Sequence, residues 1–250
     1  MATITKLEDI KKAYEGYLSG TKSGGDYRKL ENFSERAIST PNVPLIEISD
    51  KFHSGTILFI GFNPSGADTN SYTGNTVDVF IYTGNSPYYQ AMESFAKECG
   101  YEGYSELDVL GLVRKTQSEV VKHFLNNPSL FSGMLNIFLD AIFGLKPSVI
   151  VVANAFVRKL LVAGTKKLQC VPISKDSVIK KLGKSNELKV FYNRFTLSPN
   201  NKNGGYTLSI DGKFKCQLFF SCMLSGQRAI DLGNRENLVW LVKNYLAAHP

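Results

Sequence analysis

Thr56-Ile57-Leu58-Phe59-Ile60-Gly61-Phe62-Asn63-Pro64-Ser65-Gly66-Ala67-Asp68 is the stretch on which the fold of this chain turns. Its first half is an apolar run rich in β-branched and aromatic side chains, the pattern of a strand buried on both faces. Its second half cannot stay in a sheet. Gly61 and Gly66 open backbone angles that other residues resist, and Pro64 fixes its own φ and lacks a donor. A buried strand therefore ends abruptly in a polar loop that carries Asn63, Ser65 and Asp68. In open α/β sheets the crevice beyond the carboxyl ends of the strands is where ligands bind. The plainer alternative is a strand-to-loop turn with no further role.

Working outward, three more runs read as buried strands: Asp108 to Val113, Val149 to Val152, and Gln217 to Phe220. The last also ends in a polar loop, Ser221-Cys222-Met223-Leu224-Ser225-Gly226-Gln227-Arg228. Helical periodicity fills the intervals, at Ser86 to Gly100, Ser118 to Leu125, Pro128 to Gly144 and Phe156 to Gly164. Alternating strands and helices predict an α/β fold, a three-layer α/β/α sandwich with a central, mostly parallel four-stranded sheet. Residues 1–250 read as one domain, with an irregular basic insertion around 165–215 that holds short β-prone runs at Lys189 to Phe195 and Tyr206 to Ile210. Asn200 to Gly205 is its loosest point.

Further signals sit at the helix ends. Thr5-Lys6-Leu7-Glu8 reads as a capping box, and Ser86-Pro87 as an N-cap followed by Pro at the first helical position. Asn234 is expected to cap a last helix with Leu238, Trp240, Leu241 and Tyr245 inward. The segment from Gly61 to Ser86 reads as one long loop, of the kind that is functional or mobile.

Composition narrows the function classes. Of 250 residues, 43% are hydrophobic and 20% charged, enough to build a core and unlike a disordered chain. The formal net charge of +7 and pI near 9.1 suit a polyanionic partner. Cys99, Cys170, Cys216 and Cys222 lack Cys-x-x-Cys spacing and His53, His123 and His249 are scattered, so neither a metal site nor a cofactor is expected. The thiols read as reduced and buried in a cytoplasmic protein. No leader is visible at the N-terminus. Met134 to Leu145 is too short and too interrupted to span a bilayer, so no membrane partner is expected. Nucleotide-binding Gly-x-Gly-x-x-Gly and Walker loops are absent.

Gly61-Phe62-Asn63-Pro64-Ser65 resembles the first motif of the uracil-DNA glycosylase superfamily, closest to the Gly-x-Asn-Pro-Gly form of its mismatch-specific and single-strand-selective branches. Leu224-Ser225-Gly226-Gln227-Arg228 looks like the end of that superfamily's second motif. The resemblance implies the α/β/α sandwich, a single- or double-stranded DNA partner, a monomer, no cofactor, and hydrolysis of the bond between an abnormal base and its sugar after the nucleotide is flipped out. By resemblance, Asn63 holds the attacking water, with Asp68 as a supplementary base (or a cap on loop amides) and Ser221 as a donor to the leaving base. Phe62, Phe80 and Tyr82 are candidate rings to stack on the base. Asp108 would read its edge, with Asn154 as a spare candidate whose plainer reading is the cap of the following helix. Ser65, Ser225 and Gly226 would contact phosphates, and Met223 or Leu224 would wedge into the gap. Arg228 is placed either to hold a phosphate or to pair with Asp231.

Two positions depart from the pattern. Phe220-Ser221 stands where many members have a His, and Asp108 stands nearest the place of an Asn that reads the base. An ionised Asp there would only accept hydrogen bonds and would repel a carbonyl. The alternative function is a catalytically inactive nucleic-acid- or nucleotide-binding protein on the same fold.

Overall fold

The computed structural model describes residues 4–20, 46–64, 77–81, 86–113, 116–165, 176–221, 224 and 231–249. Four parallel strands form its centre: β2 (Ile57–Gly61), β4 (Tyr104–Asp108), β5 (Val149–Val152) and β8 (Phe214–Phe220). They lie in the order β4-β2-β5-β8. Register places Gly61 beside Asp108, Ile60 beside Val152, and Val152 beside Phe220. All four chains therefore leave the sheet at one edge, side by side.

Each strand divides its side chains between two cores, as the period of two requires. Leu58, Ile60, Ile150, Val152 and Leu218 face the larger core. That core is covered by α1 (Leu7–Gly20), α3 (Gln117–Asn126), α4 (Ser132–Leu145) and α5 (Ala155–Ala163). Ile57, Phe59, Val149, Val151 and Phe219 face the smaller one, under α2 (Pro87–Glu98) and α8 (Leu232–Ala248). Helices on both faces explain why the central strands read as unbroken apolar runs. The stretch Pro128–Leu145 has the length and apolarity to cross a bilayer, with a mean hydropathy of 1.4 over 18 residues. Here Leu135, Phe138, Ile142 and their neighbours are packed into the larger core.

The sheet is larger than expected, and mixed. β6 (Phe195–Pro199) and β7 (Tyr206–Ile210) extend it antiparallel beyond β8, giving six strands rather than four. These strands come from the supposedly irregular 165–215 segment. Its described part also forms α6 (Ser177–Lys184) and α7 (Lys189–Asn193). Lys189 to Phe195 is thus a helical turn entering β6, not a strand. Asn200 to Gly205 is tied down: the Asn200 amide N–H donates to Gly205 O at 3.0 Å and its side chain donates to Gln217 Oε1 at 2.8 Å. The β7–β8 turn is built on Asp211 (φ 50°) and Gly212 (φ 66°), the Asp-Gly signature of a tight hairpin.

Other expectations shift locally. The second strand is Tyr104–Asp108, not Asp108 to Val113. Its Ser105 and Glu106 are polar but buried, so periodicity hid it. The expected long loop contains β3 (Val77–Phe80), which pairs in parallel with β1 (Ile46–Ser49) as a separate two-stranded sheet. Asp9, not Glu8, caps α1, accepting from the Thr5 amide at 2.9 Å and the Thr5 hydroxyl at 3.0 Å. Ser86 precedes Pro87 as expected but its side chain makes no cap bond. Asp231, not Asn234, caps α8, accepting from the Asn234 amide at 3.0 Å. The buried face of α8 is Leu238, Val239 and Val242; Trp240 is 60% exposed.

Candidate functional site at the carboxyl edge of the parallel strands

Position by position along that edge, the sheet presents Asp108, Gly61, Ala153 and Ser221. Gly61 pairs with Asp108. One step past the paired residues, the Ala153 amide donates to Ile60 O at 3.1 Å and the Ser221 amide to Val152 O at 2.9 Å. Strand alternation turns all four toward the α2/α8 face, where Phe59, Val151 and Phe219 precede them by two residues. Two polar residues thus flank two of the smallest. Strands are about 4.8 Å apart, so Asp108 and Ser221 stand about 14 Å apart at the backbone.

Asn63 lies just past Gly61 and is 7% exposed. Its Nδ2 donates to Pro64 O at 2.9 Å and to Leu112 O at 3.3 Å, which fixes the amide. Its Oδ1 is buried and has no partner among the described residues. The Ser221 hydroxyl is in the same state. A buried polar atom without a partner costs on the order of 1–3 kcal/mol, so each of these two calls for a hydrogen-bond partner beyond the described residues, from the chain or from a ligand. An amide oxygen can accept a hydrogen from water. A serine hydroxyl can donate or accept.

Asp108 explains Gly61. A Cβ at Gly61 would collide with Asp108 Oδ1 and would sit 3.4 Å from the Tyr88 hydroxyl. The carboxyl therefore leans across the glycine at the mouth of the strand ends. Burial raises its pKa well above the usual carboxylate range, and the nearby Glu106 and Glu47 charges push it further. Glu106, two residues earlier on the same face, is raised mainly by burial and also by Glu47 and Asp50, against hydrogen bonds from Ser49 and Tyr89. Tyr14, Tyr88 and Tyr89 are raised by burial as well, so they remain neutral hydroxyls. The side of the site formed by β4 is thus lined by carboxyls and phenols whose pKa values burial raises. Between α1, β1 and β4 a small pocket of about 10 Å³, lined by Tyr14, Glu47, Ser49, Glu106 and Asp108 among others, has room for about one water.

The remaining expected residues divide. Phe62 is fully buried in the larger core with its ring 4.6 Å from that of Phe156, so it is not available to stack on a base. Phe80 is half-buried and stacks on Tyr89 at 5.5 Å. Asn154 is the N-cap of α5: its Oδ1 accepts from the Phe156 and Val157 amides and its Nδ2 donates to Gln117 Oε1 at 3.1 Å. That occupies the side chain and removes it as a base reader. Leu224 is 6% exposed and seated in the smaller core, so it is no wedge. Asp68, Tyr82, Ser65, Met223, Ser225, Gly226 and Arg228 lie outside the described residues.

Asp108 itself sits at the carboxyl end of its strand, not at the start as expected, and therefore joins the site. Glu106, Tyr88 and Ala153 were not singled out from sequence. A glutamate in a polar-looking run and a tyrosine among helix-face residues carry no distinguishing signal; only Gly61, an otherwise unexplained glycine at a strand end, could have pointed to a close neighbour. Among the described residues no group of His, Cys, Asp and Glu is arranged to hold a metal ion. No protein-family model matches the chain, and no curated protein matches it either.

Proposed function

We propose that the chain is a divergent, monofunctional DNA glycosylase with a uracil-DNA glycosylase-like sandwich, hydrolysing the N-glycosidic bond of uracil or another abnormal base after base flipping. The observation that carries this reading is the buried Asn63 Oδ1, without a partner among the described residues, at the carboxyl edge of β2 and on the same edge as Ser221. Had β2 and β8 left the sheet in opposite directions, the two polar loops could not have served one ligand. Asn63 accepts a hydrogen from the attacking water while its Nδ2 bonds hold it still. An amide takes up no proton in the way a carboxylate does, so bond breaking relies on stabilising charge, cationic on the sugar and anionic on the departing base, while the proton shed by the water as it bonds to the sugar carbon passes to solvent and solvent protonates the released base. Ser221 is positioned as a donor to that base.

The alternative, a binding protein that no longer turns over, draws on the commitment of Phe62, Asn154 and Leu224 to packing. An excision assay separates the two. Oligonucleotides carrying uracil, hypoxanthine, xanthine or a mismatch, single- and double-stranded, are incubated with wild type and Asn63→Ala and then treated with alkali. Strand scission by wild type that the variant lacks supports the glycosylase. Salt-dependent binding without scission supports the binding protein.

A further inference from the structure

A larger cavity than the one beside β4 lies between the last turn of α3 and the last turn of α6. It measures about 370 Å³, inside the range of about 300–1,000 Å³ that small-molecule sites occupy. Leu125 and Pro128, both half-buried, line it together with the buried Phe124, Leu182 and Leu188. Two ring contacts, Phe124 with Phe156 at 5.9 Å and Phe156 with Phe62 at 4.6 Å, stand between this cavity and Asn63. It is therefore a separate place from the carboxyl edge of the strands.

Its rim is cationic. Lys181 and Lys184 stand about one turn apart on α6, and both are exposed. Lysines suit the last turn of any helix, whose carbonyl end carries partial negative charge. What faces these two adds a second role. Lys181 Nζ reaches across to α3 and donates to Asn126 Oδ1 at 3.5 Å, a long bond to a neutral group. Lys184 has no ion-pair partner among the described residues. Glu187, the acid that lines the cavity, accepts from the Ser185 hydroxyl at 2.7 Å and pairs with neither lysine. Two ammonium groups thus border an apolar-lined cavity with no counter-anion beside them.

We propose that this cavity binds a small amphipathic carboxylate, its apolar body against Leu125 and Pro128 and its acid group between Lys181 and Lys184. At the roughly 30 Å³ that one water takes up in the liquid, the space suits a ligand of about a dozen non-hydrogen atoms. The carboxylate replaces Asn126 as the acceptor for Lys181, and a hydrogen bond between two charged groups is about twice as strong as one between neutral groups. The apolar body displaces water from the two half-buried side chains. Neither part suffices alone: the head without the body is left in water, and the body without the head leaves both lysines unpaired. This site does not depend on the glycosylase reading.

Octanoate, acetate, 1-octanol and octylamine are titrated separately into the nitrogen-15-labelled full chain, and the amide resonances of Asn126 and Ser185 are followed. The same titrations are made on the double variant Lys181→Gln/Lys184→Gln, whose substitutions are at exposed positions and whose fold is checked by circular dichroism. Octanoate should move both amides saturably and bind roughly tenfold more tightly than the other three, the effect of one charge-assisted bond. The double variant should lose that advantage, and added salt should weaken octanoate binding to wild type. The proposal is overturned if octanoate leaves both amides unmoved, if acetate or 1-octanol binds as tightly, or if the double variant binds octanoate as wild type does.

Discussion

Gly61→Ala tests the packing on which the site depends. In a strand, replacing glycine by alanine gains about 0.5–1 kcal/mol from the reduced freedom of the unfolded chain. Here the new methyl collides with Asp108 Oδ1 and approaches the Tyr88 hydroxyl, so either the carboxyl or the strand must shift. Overpacking of this kind costs about 1–3 kcal/mol. The collision outweighs the gain, and a net loss of about 1–2 kcal/mol follows, or roughly 2–8 °C in Tm for a domain of this size. The sign reverses when the obstacle is removed. In an Asp108→Ala background, Gly61→Ala has room and is neutral or stabilising by about 0.5 kcal/mol. The cycle of four proteins, followed by urea unfolding, should show a coupling of about 1–2.5 kcal/mol between positions 61 and 108, within the usual range for touching residues. If Gly61→Ala costs the same in both backgrounds, Asp108 does not lean over Gly61 and the geometry of the site is wrong.

Glu106 makes stability depend on pH in a stated direction. Its folded-state pKa is pushed up to about 8 from an ordinary 4.5, so the folded protein holds a proton that the unfolded chain has released. The Glu106 contribution is complete below about pH 4.5 and falls by about 1.4 kcal/mol per pH unit toward pH 8, and Asp108, raised in the same direction, adds to the slope. Urea unfolding at pH 5, 6, 7 and 8 should show this slope, flattened in Glu106→Gln; a stability that rises over that interval would exclude a neutral buried acid. The Asn154→Ala variant loses the α5 cap, at about 1 kcal/mol in thermal unfolding, with base release unchanged per folded molecule; a selective loss of release would return Asn154 to the site. Arg194 is 12% exposed and bridges Asp140 on α4 (2.6 Å) to Asp211 in the β7–β8 turn (2.7 Å). Arg194→Ala leaves both acids without it and should cost about 2–3 kcal/mol, whereas a near-neutral result would mean the added hairpin is held by its apolar contacts alone.

The buried strands β2, β5 and β8 were legible because each is covered on both faces and reads as an apolar run. β4 was misplaced for the opposite reason. It lies at the sheet edge beside β1, where Ser105 bonds to the His53 backbone and Glu106 to Ser49 and Tyr89, so its burial is polar and leaves no hydrophobic signature. β3 was lost inside a loop because Val77-Asp78-Val79-Phe80 is short and pairs only with a strand some thirty residues away. In the site, Asn63 and Ser221 were legible from the loops that hold them. Asp108 was named but given an ionised carboxyl, since nothing in its immediate sequence announces that Glu47 and three tyrosines would join Glu106 around it. Phe62 and Leu224 were assigned to the ligand by their place in a motif, but core packing claims both.

The account stands on Asn63, and free-base release under single-turnover conditions measures it most directly. Wild type should release uracil from a DNA oligonucleotide and leave an abasic site. Asn63→Ala, shown by circular dichroism to be folded, should do so at least 100-fold more slowly while still binding the strand. Release at equal rates by the two proteins, or none by wild type across the substrate panel, would contradict the assignment of Asn63 as the residue that positions the attacking water.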